Sequence, residues 1–581
     1  MTTTRIVFLS SLVMMSCGHP ARRAPSPPPS ASPARPAPAP PFVVIRSAAT
    51  GLVLDEGPTV DVSAVVAKQP PGAYIVTRTS ASAAARSTIE IPGAAGMALD
   101  DTPCGKVEGV VVGPTEGRPV YFFPWRGPRT IHGVSVDAQG RFVACLPPDR
   151  YVVSIEAEHV VSDPVTVDVG DAIGTVSVMT RARGVAEAQT TAAYRIPAGS
   201  AAALLDAIPR TVRVIGVGEP DHGSRTYLTV RAELVLAAAQ SDRLSAVVLE
   251  AGNAETIPLD DYVMGEDVDV RIAVSKIGFW TWDTEEFLAF LAQLRAHNQA
   301  NPTRRVRVLG CDVQFSEAAV DYLIAHRDAA GLDDVIVELI RPLRADRGKA
   351  FAGFPPETRA RVYAALQTVA VRRGRGTDTV TQRVAFAALA LQHRLRGAEA
   401  VEFWRKEQRE LGMAELTAES AALDPTRSAI YLAHNMHVQS VRVDMIPAAG
   451  AALRQILGDR YCVIGIFVGS GSTRAWDADA AEGVLPRTLL PSPPGTFEYA
   501  IAQGAGDARA VYVRLQDLPK AVRDWLVIPR RVRDFGPVYP GPAGALRYYP
   551  ILEGFDAAVV LRDVEPTTPT ATGVRMAKPR P

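Results

Sequence analysis

The chain has 581 residues, above the ceiling of about 250–300 that one hydrophobic core reaches, so at least two domains are expected. Lys plus Arg and Asp plus Glu number 62 each, which leaves no electrostatic footprint for nucleic acid or an anionic membrane surface and excludes nucleic-acid binding. Five cysteines, none in a Cys-x-x-Cys pair, exclude a disulfide-stapled scaffold and carry no signature of structural zinc or a redox dithiol.

Residues 1–17 read as an export signal: Arg5, an apolar run over 6–15 too short to span a bilayer, then Ser16 before Cys17. Met14-Met15-Ser16-Cys17 resembles the lipobox of bacterial lipoproteins, with Met14 where that family has Leu. The resemblance implies lipidation at Cys17, an exported chain and attachment to a bacterial membrane facing the periplasm or the exterior. A plain secretory signal is the alternative. Residues 18–41 are Pro, Ala, Ser and Arg with almost nothing to bury, the composition of an extended tether.

Residues 42–185 hold short Val-, Ile- and Tyr-rich runs separated by Gly and Pro, which predicts small antiparallel β modules. Within them Asp137, Gly140, Phe142, Leu146, Pro147, Pro148 and Tyr151 match the core of the carboxypeptidase-regulatory-like β-sandwich, with Asp149 in place of a glycine. The resemblance spans 105–181 and implies an accessory module without chemistry. Cys104 and Cys145 either pair in an oxidising compartment or remain buried thiols.

From residue 195 to 566 strands alternate with helices, which predicts an α/β domain with a mixed, partly parallel sheet flanked by long helices. Strands are expected at 212–217, 246–249, 306–310, 429–433, 461–468, 510–515 and 557–561. Helical spacing runs through 229–240, 285–299 and much of 332–413. Residues 567–581 read as a disordered tail.

Ligands of such sheets bind beyond the carboxyl ends of the strands. The first strand is followed by Glu219 and His222, the second by Glu250, the third by Asp312 and the fourth by His434 and His437, so three of the nine histidines fall at strand ends. An imidazole whose second ring nitrogen is held by a carboxylate is a general base, and His222 with Glu219 or with Glu250 fits that pair. Arg231, in the following helix, is spaced to turn back and orient a carboxylate or stabilise an oxyanion. Trp280 and Trp282 either floor an apolar substrate cleft or pack at the start of a helix capped by Asp283 or Thr284.

Gly218-Glu219-Pro220-Asp221-His222-Gly223-Ser224, Arg231, Leu249-Glu250, the block from Gly278 to Glu286, Gly310-Cys311-Asp312 and Ala433-His434-Asn435-Met436-His437-Val438 together resemble the erythromycin esterase family. The resemblance implies hydrolysis of a macrolide lactone by an activated water, with no obligatory metal or other cofactor. On these positions His222 would be the base, with Glu219, Arg231, Glu250, His434 and His437 lining the site; the residues themselves then give Glu219, Glu250, Arg231 and His434 as catalytic and His437, Trp280, Trp282 and Asp312 as substrate-binding expectations. Two letters depart from the pattern: Asp221 replaces Thr or Ser, and Glu410 replaces Asp in Arg409-Glu410-Leu411-Gly412-Met413-Ala414.

A serine hydrolase is disfavoured because no Gly-x-Ser-x-Gly elbow is present and Ser224 reads as a helix cap. Gly469-Ser470-Gly471-Ser472 lacks the Lys of a P-loop and reads as a loop. Two rivals stay open: a metal-dependent hydrolase using the same Glu and His residues, and a surface-anchored envelope or saccharide-binding protein. The partner expected is a small-molecule ester or lactone.

Overall fold

The computed structural model describes most of residues 105–182 and 196–576, and the backbone of five paired strands between Phe42 and Thr102. The signal, Cys17 and the tether lie outside the described residues, as does Cys104; Cys145 is disulfide-bonded.

Between residues 105 and 182 eight strands form two four-stranded sheets. Their inward side chains, among them Val107, Phe122, Phe142, Tyr151 and Val178, make one apolar cluster. The motif residues have physical tasks there. Gly140 has φ +77°, and a Cβ on it would stand 2.5 Å from the Val111 carbonyl oxygen, so the turn requires glycine. Phe142 and Tyr151 each pack edge-on against Phe122.

The second region is built on one nine-stranded sheet. Its strands are β1 (Val214–Val217), β2 (Leu244–Gly252), β3 (Arg307–Asp312), β4 (Ser428–Leu432), β5 (Tyr461–Asp477), β6 (Val484–Leu489), β7 (Ala510–Arg514), β8 (Val538–Tyr539) and β9 (Ala557–Val564). The main order is β3-β2-β4-β1-β5-β9-β7, with β6 and β8 pairing the far end of β5. All neighbours along β3 to β9 are parallel, and β7 closes the edge antiparallel. All seven expected strands are present. The Gly469 to Ser472 segment, expected as a loop, belongs to the 17-residue β5, where Ser470 pairs with Asp563.

Central parallel strands are buried on both faces, which is why they read as continuous apolar runs. Alternate residues serve opposite cores: Val214, Ala246, Val248, Ala429 and Tyr431 point one way, and Ile215, Val217, Val247, Leu249 and Leu432 the other. The first face is covered by α3 (Thr379–Glu399) and α4 (Glu402–Ala422), the second by α1 (Arg225–Gln240) and α2 (Glu285–Ala300). Ser224 caps α1 through the Thr226 N–H, and Thr284 caps α2 through the Phe287 N–H.

Residues 567–576 of the expected disordered tail are anchored to the fold, and 577–581 lie outside the described residues. The Thr567 N–H donates to the Gly223 carbonyl at 2.9 Å, the Thr568 N–H to Glu286 at 3.0 Å, and a helix spans Ala571–Met576. Polar composition hid this segment because its anchoring is by hydrogen bonds rather than apolar burial.

Candidate active site

The register sets the site. Val217 pairs with Leu432 and Ile464, Leu432 with Leu249, and Leu249 with Gly310, so these residues, the last of β1 and β4 among them, form one row across the sheet. Glu219, His434, Glu250 and Asp312 follow that row by one or two residues and emerge along a single edge.

His222 Nδ1 lies 2.9 Å from Glu219 Oε1, both side chains largely buried. A carboxylate only accepts, so Nδ1 carries the hydrogen and Nε2 is the free base. Burial pushes the His222 pKa down, but the Glu219 hydrogen bond and the charges of Glu250 and Glu219 outweigh it and the net shift is upward. Of the two carboxylates offered by the sequence, Glu219 is the one that holds Nδ1.

Arg231 stands behind this pair, 1% exposed. Its Nη1 is 2.7 Å from Glu219 Oε2, and its Nη2 donates to the Val217 and Ala433 carbonyls at 3.2 and 2.5 Å. The guanidinium orients a carboxylate; walled off by β1 and β4, it does not reach an oxyanion.

His434 is also spent on the fold. Its Nδ1 accepts the Met436 N–H at 3.2 Å, capping the short helix α5 (Asn435–Val438), so Nε2 carries the hydrogen and donates to the Pro220 carbonyl at 3.0 Å. Burial, then the neighbouring His222 and His437 charges, hold its pKa well below the ordinary value, and the ring is neutral. Its ring centroid is 5.3 Å from that of His222. Asp534 Oδ1 stands 3.3 Å from His434 Nε2, and burial pushes the Asp534 carboxyl up to about 8.

His437 lies between two carboxylates, Nδ1 2.8 Å from Glu410 Oε2 and Nε2 3.2 Å from Glu250 Oε1. Burial opposes its charge, yet Glu410 and Glu250 carry its pKa up to about 10 and favour the imidazolium, against Arg409, whose Nη1 lies 3.2 Å from Nε2. Glu250 also accepts the His434 N–H at 2.9 Å through Oε2. Burial would raise the Glu250 pKa, but His437, His222 and Arg409 hold it well below the usual carboxylate range.

Arg409, on α4 and outside the strand ends, joins the carboxylates of the site. Its Nη2 donates to Glu250 Oε1 and to Asp312 Oδ2, both at 2.9 Å, and its Nε to Asp312 Oδ1 at 3.0 Å. Asp312, 2% exposed and also receiving the Gln314 N–H and amide, therefore anchors Arg409 rather than meeting a ligand. Glu410 accepts the Ala449 N–H at 2.8 Å in addition to His437. Inspection of strand ends passes over both residues because they come from a helix.

The tryptophans separate. Trp282 is 4% exposed, packs on Phe287 and donates its indole N–H to the Glu250 carbonyl at 3.0 Å, so it is a core residue that steadies β2 and not a cleft wall. Trp280 lies apart, in a small cluster with Val484 and Trp476. A second missed feature is Gly536. The Phe535 and Gly536 N–H groups both donate to the Pro220 carbonyl, and a Cβ on Gly536 would stand 3.7 Å from His434 Nε2 and 3.9 Å from His222 Nε2. This loop lies over the free nitrogen of the base, and glycine leaves the approach open.

Glu219, His222, Glu250, His434 and His437 are all metal-competent side chains, but apart from His222 Nε2 their donor atoms are turned to one another, to Glu410, to Arg231 and Arg409, and to backbone. Among the described residues no group of three or more His, Cys, Asp and Glu is placed to hold a metal ion.

The fold and site define a doubly wound α/β protein with an imidazole–carboxylate centre at the carboxyl edge of its parallel strands. The chain belongs to the erythromycin esterase family, whose model matches residues 242–564. Membership suggests a hydrolase acting on ester bonds. Glu219, His222 and Arg231 lie upstream of the matched segment and are joined to it by β1, which sits between β4 and β5. Among solved structures, a Bacillus cereus protein is similar with a TM-score of 0.56 at 19% identity, covering 66% of this chain and 98% of that one. A succinoglycan biosynthesis protein gives 0.56 at 16%, covering 66% and 97%. An erythromycin esterase mutant in its open conformation gives 0.47 at 14%, covering 61% and 91%. At these identities the likeness is one of fold. No curated protein matches the chain.

Proposed function

We propose that the chain hydrolyses an ester or lactone by attack of a water molecule that His222 deprotonates. The observation that carries this reading is the relay Arg231–Glu219–His222, which in the neutral ring places the hydrogen on Nδ1 and leaves Nε2 as the basic nitrogen beneath Gly536. Water bound at Nε2 loses a proton to it as its oxygen adds to the carbonyl carbon. The tetrahedral intermediate collapses with cleavage of the acyl C–O bond, and the imidazolium returns the proton to the leaving alkoxide. Arg409 and His437 are the cations of the site that retain exposure, 21% and 15%, and they supply the positive side of the centre. No covalent acyl-enzyme is involved.

Residues 195–566 form the catalytic domain in this reading. Residues 105–181 are an accessory module of the carboxypeptidase-regulatory-like type, and residues 1–41 export the chain and tether it through Cys17. Purified protein incubated with a panel of lactones and simple esters, and followed by mass spectrometry, is expected to add one water to a member of the panel. His222→Ala is expected to abolish the activity; activity that survives that change removes the assignment. Activity lost to a chelator and restored by metal would favour the metal-dependent reading instead.

A further inference from the structure

Arg474, on the far part of β5, is 4% exposed. Its guanidinium lies over the Trp280 ring with Cζ 5.6 Å from the centroid, and its buried Nη1 has no hydrogen-bond partner. No carboxylate among the described residues stands within 4.0 Å of it. Glu286 is the acid whose charge favours the cation, yet Glu286 is beyond ion-pair distance and accepts the Thr568 N–H at 3.0 Å. Every other buried arginine of the site has a carboxylate or a set of carbonyls; a cation buried without one is held at a cost that a complementary ligand group removes.

The surroundings point the same way. Thr473 and Ala475 face the core, so Arg474 and Trp476 share the opposite face of the strand. Trp476, half-buried, packs against the buried pair Trp280 and Val484 beside it. The Arg474 N–H donates to the carbonyl of Gly223, the residue after His222, at 3.1 Å, and the Trp476 N–H donates to the carbonyl of Pro537, the residue after Gly536, at 2.9 Å. The aromatic and cationic cluster is thus fastened to both loops that bracket His222 Nε2.

We propose that Trp280, Arg474 and Trp476 form a substrate subsite that receives a carboxylate or another oxyanion carried on an apolar body, so the chain acts on acidic esters or lactones and disfavours substrates with a cationic amine at this position. The inference rests on the hydrolytic reading of the same site. A planar guanidinium matches a carboxylate with two parallel hydrogen bonds, and the indole faces take the apolar remainder.

Binding tests the subsite separately from catalysis. Calorimetric titration of the full chain with the monoanilide of glutaric acid and with its uncharged dianilide is expected to give about tenfold tighter binding of the acid, the ratio that one charge-assisted contact supplies. The preference is expected to vanish in Arg474→Gln and to persist in part in Arg474→Lys, with circular dichroism verifying the fold of each. Equal affinity of the wild type for acid and dianilide overturns the subsite whatever the variants do. Charge-selective binding without hydrolysis of the corresponding monoester, or of any ester in the panel, keeps the subsite and removes the hydrolytic reading. Hydrolysis that favours the dimethylaminoethyl ester over the acidic one overturns the specificity.

Discussion

Asp221 accepts the Tyr227 hydroxyl at 2.8 Å, and this contact binds the acid beside the base into the fold rather than into the reaction. Its other oxygen receives the Thr473 hydroxyl and, at 3.2 Å, the Gly223 N–H. Asp221 thereby links β1, α1 and β5 behind His222, which accounts for the departure from the family letter. Burial pushes its carboxyl up to about 6, so the fold favours the protonated acid. That contribution is intact below the ordinary value of 3.8 and is lost as pH rises through about 6. In Asp221→Asn the loss disappears, so relative to wild type the variant gains stability between about pH 4 and pH 7. Urea denaturation at the two pH values checks this, and a difference that stays constant with pH overturns it.

The Glu219 bond makes a kinetic prediction. His222 serves as base only when unprotonated, and its pKa lies above the ordinary 6.5, so kcat/KM falls on the acid side as pH drops through a value above 6.5. Glu219→Gln removes the carboxylate that raises the pKa and fixes the tautomer. The expected result is a loss of about a hundredfold or more in kcat, with the residual acid limb displaced to lower pH. An unchanged limb would show that another group sets it.

Much of this centre was legible because parallel strands announce themselves as apolar runs and chemistry collects at their carboxyl ends. Glu219, His222, Glu250, Asp312, His434 and His437 were found that way. Their pairing was not legible, because the choice between Glu219 and Glu250 for His222 is made by side-chain geometry at the strand ends, and that of Glu250 and Glu410 for His437 by strand register and by a helix residue 27 positions back in the chain. Arg409 and Gly536 escaped for the same reason: neither sits at the end of an apolar run. Arg231 and Trp282 carried the right residue types, but only burial distinguishes orienting a carboxylate from meeting an oxyanion, or holding a carbonyl from lining a cleft. The β5 segment at Gly469 read as a loop because Gly and Ser lower β propensity, which pairing on both sides overrides.

Arg409 offers a test of the buried charge network. Arg409→Met leaves Glu250 and Asp312 without their shared guanidinium, and removal of one partner of a buried ion network costs about 3–5 kcal/mol. Glu250 is held below its ordinary 4.5 in the folded state, so its stabilising contribution is present above that value and is lost as pH falls through the folded one. With Arg409 gone, Glu250 takes up a proton more readily, although His437 and His222 still favour its charge, and the deficit narrows as pH is lowered below about 4.5. Arg409→Lys keeps the charge and is expected to recover part of the stability. A Met variant as stable as wild type at neutral pH would remove the network from the account.

Gly536 separates access from stability. With φ +68°, an alanine there meets backbone strain of about 1–2 kcal/mol, a modest destabilisation. Its methyl would lie 3.7 Å from His434 Nε2 and 3.9 Å from His222 Nε2, ordinary contact distances, so it fits without a clash. What it displaces, in the proposed mechanism, is the water that His222 deprotonates. Gly536→Ala is therefore expected to remain folded, with kcat/KM reduced by about tenfold or more, while Gly541→Ala, also at positive φ and with open space around the added carbon, bears similar strain with little loss of activity. Equal activity of the two variants, normalised to folded protein, would mean that the Gly536 loop does not govern access to the base.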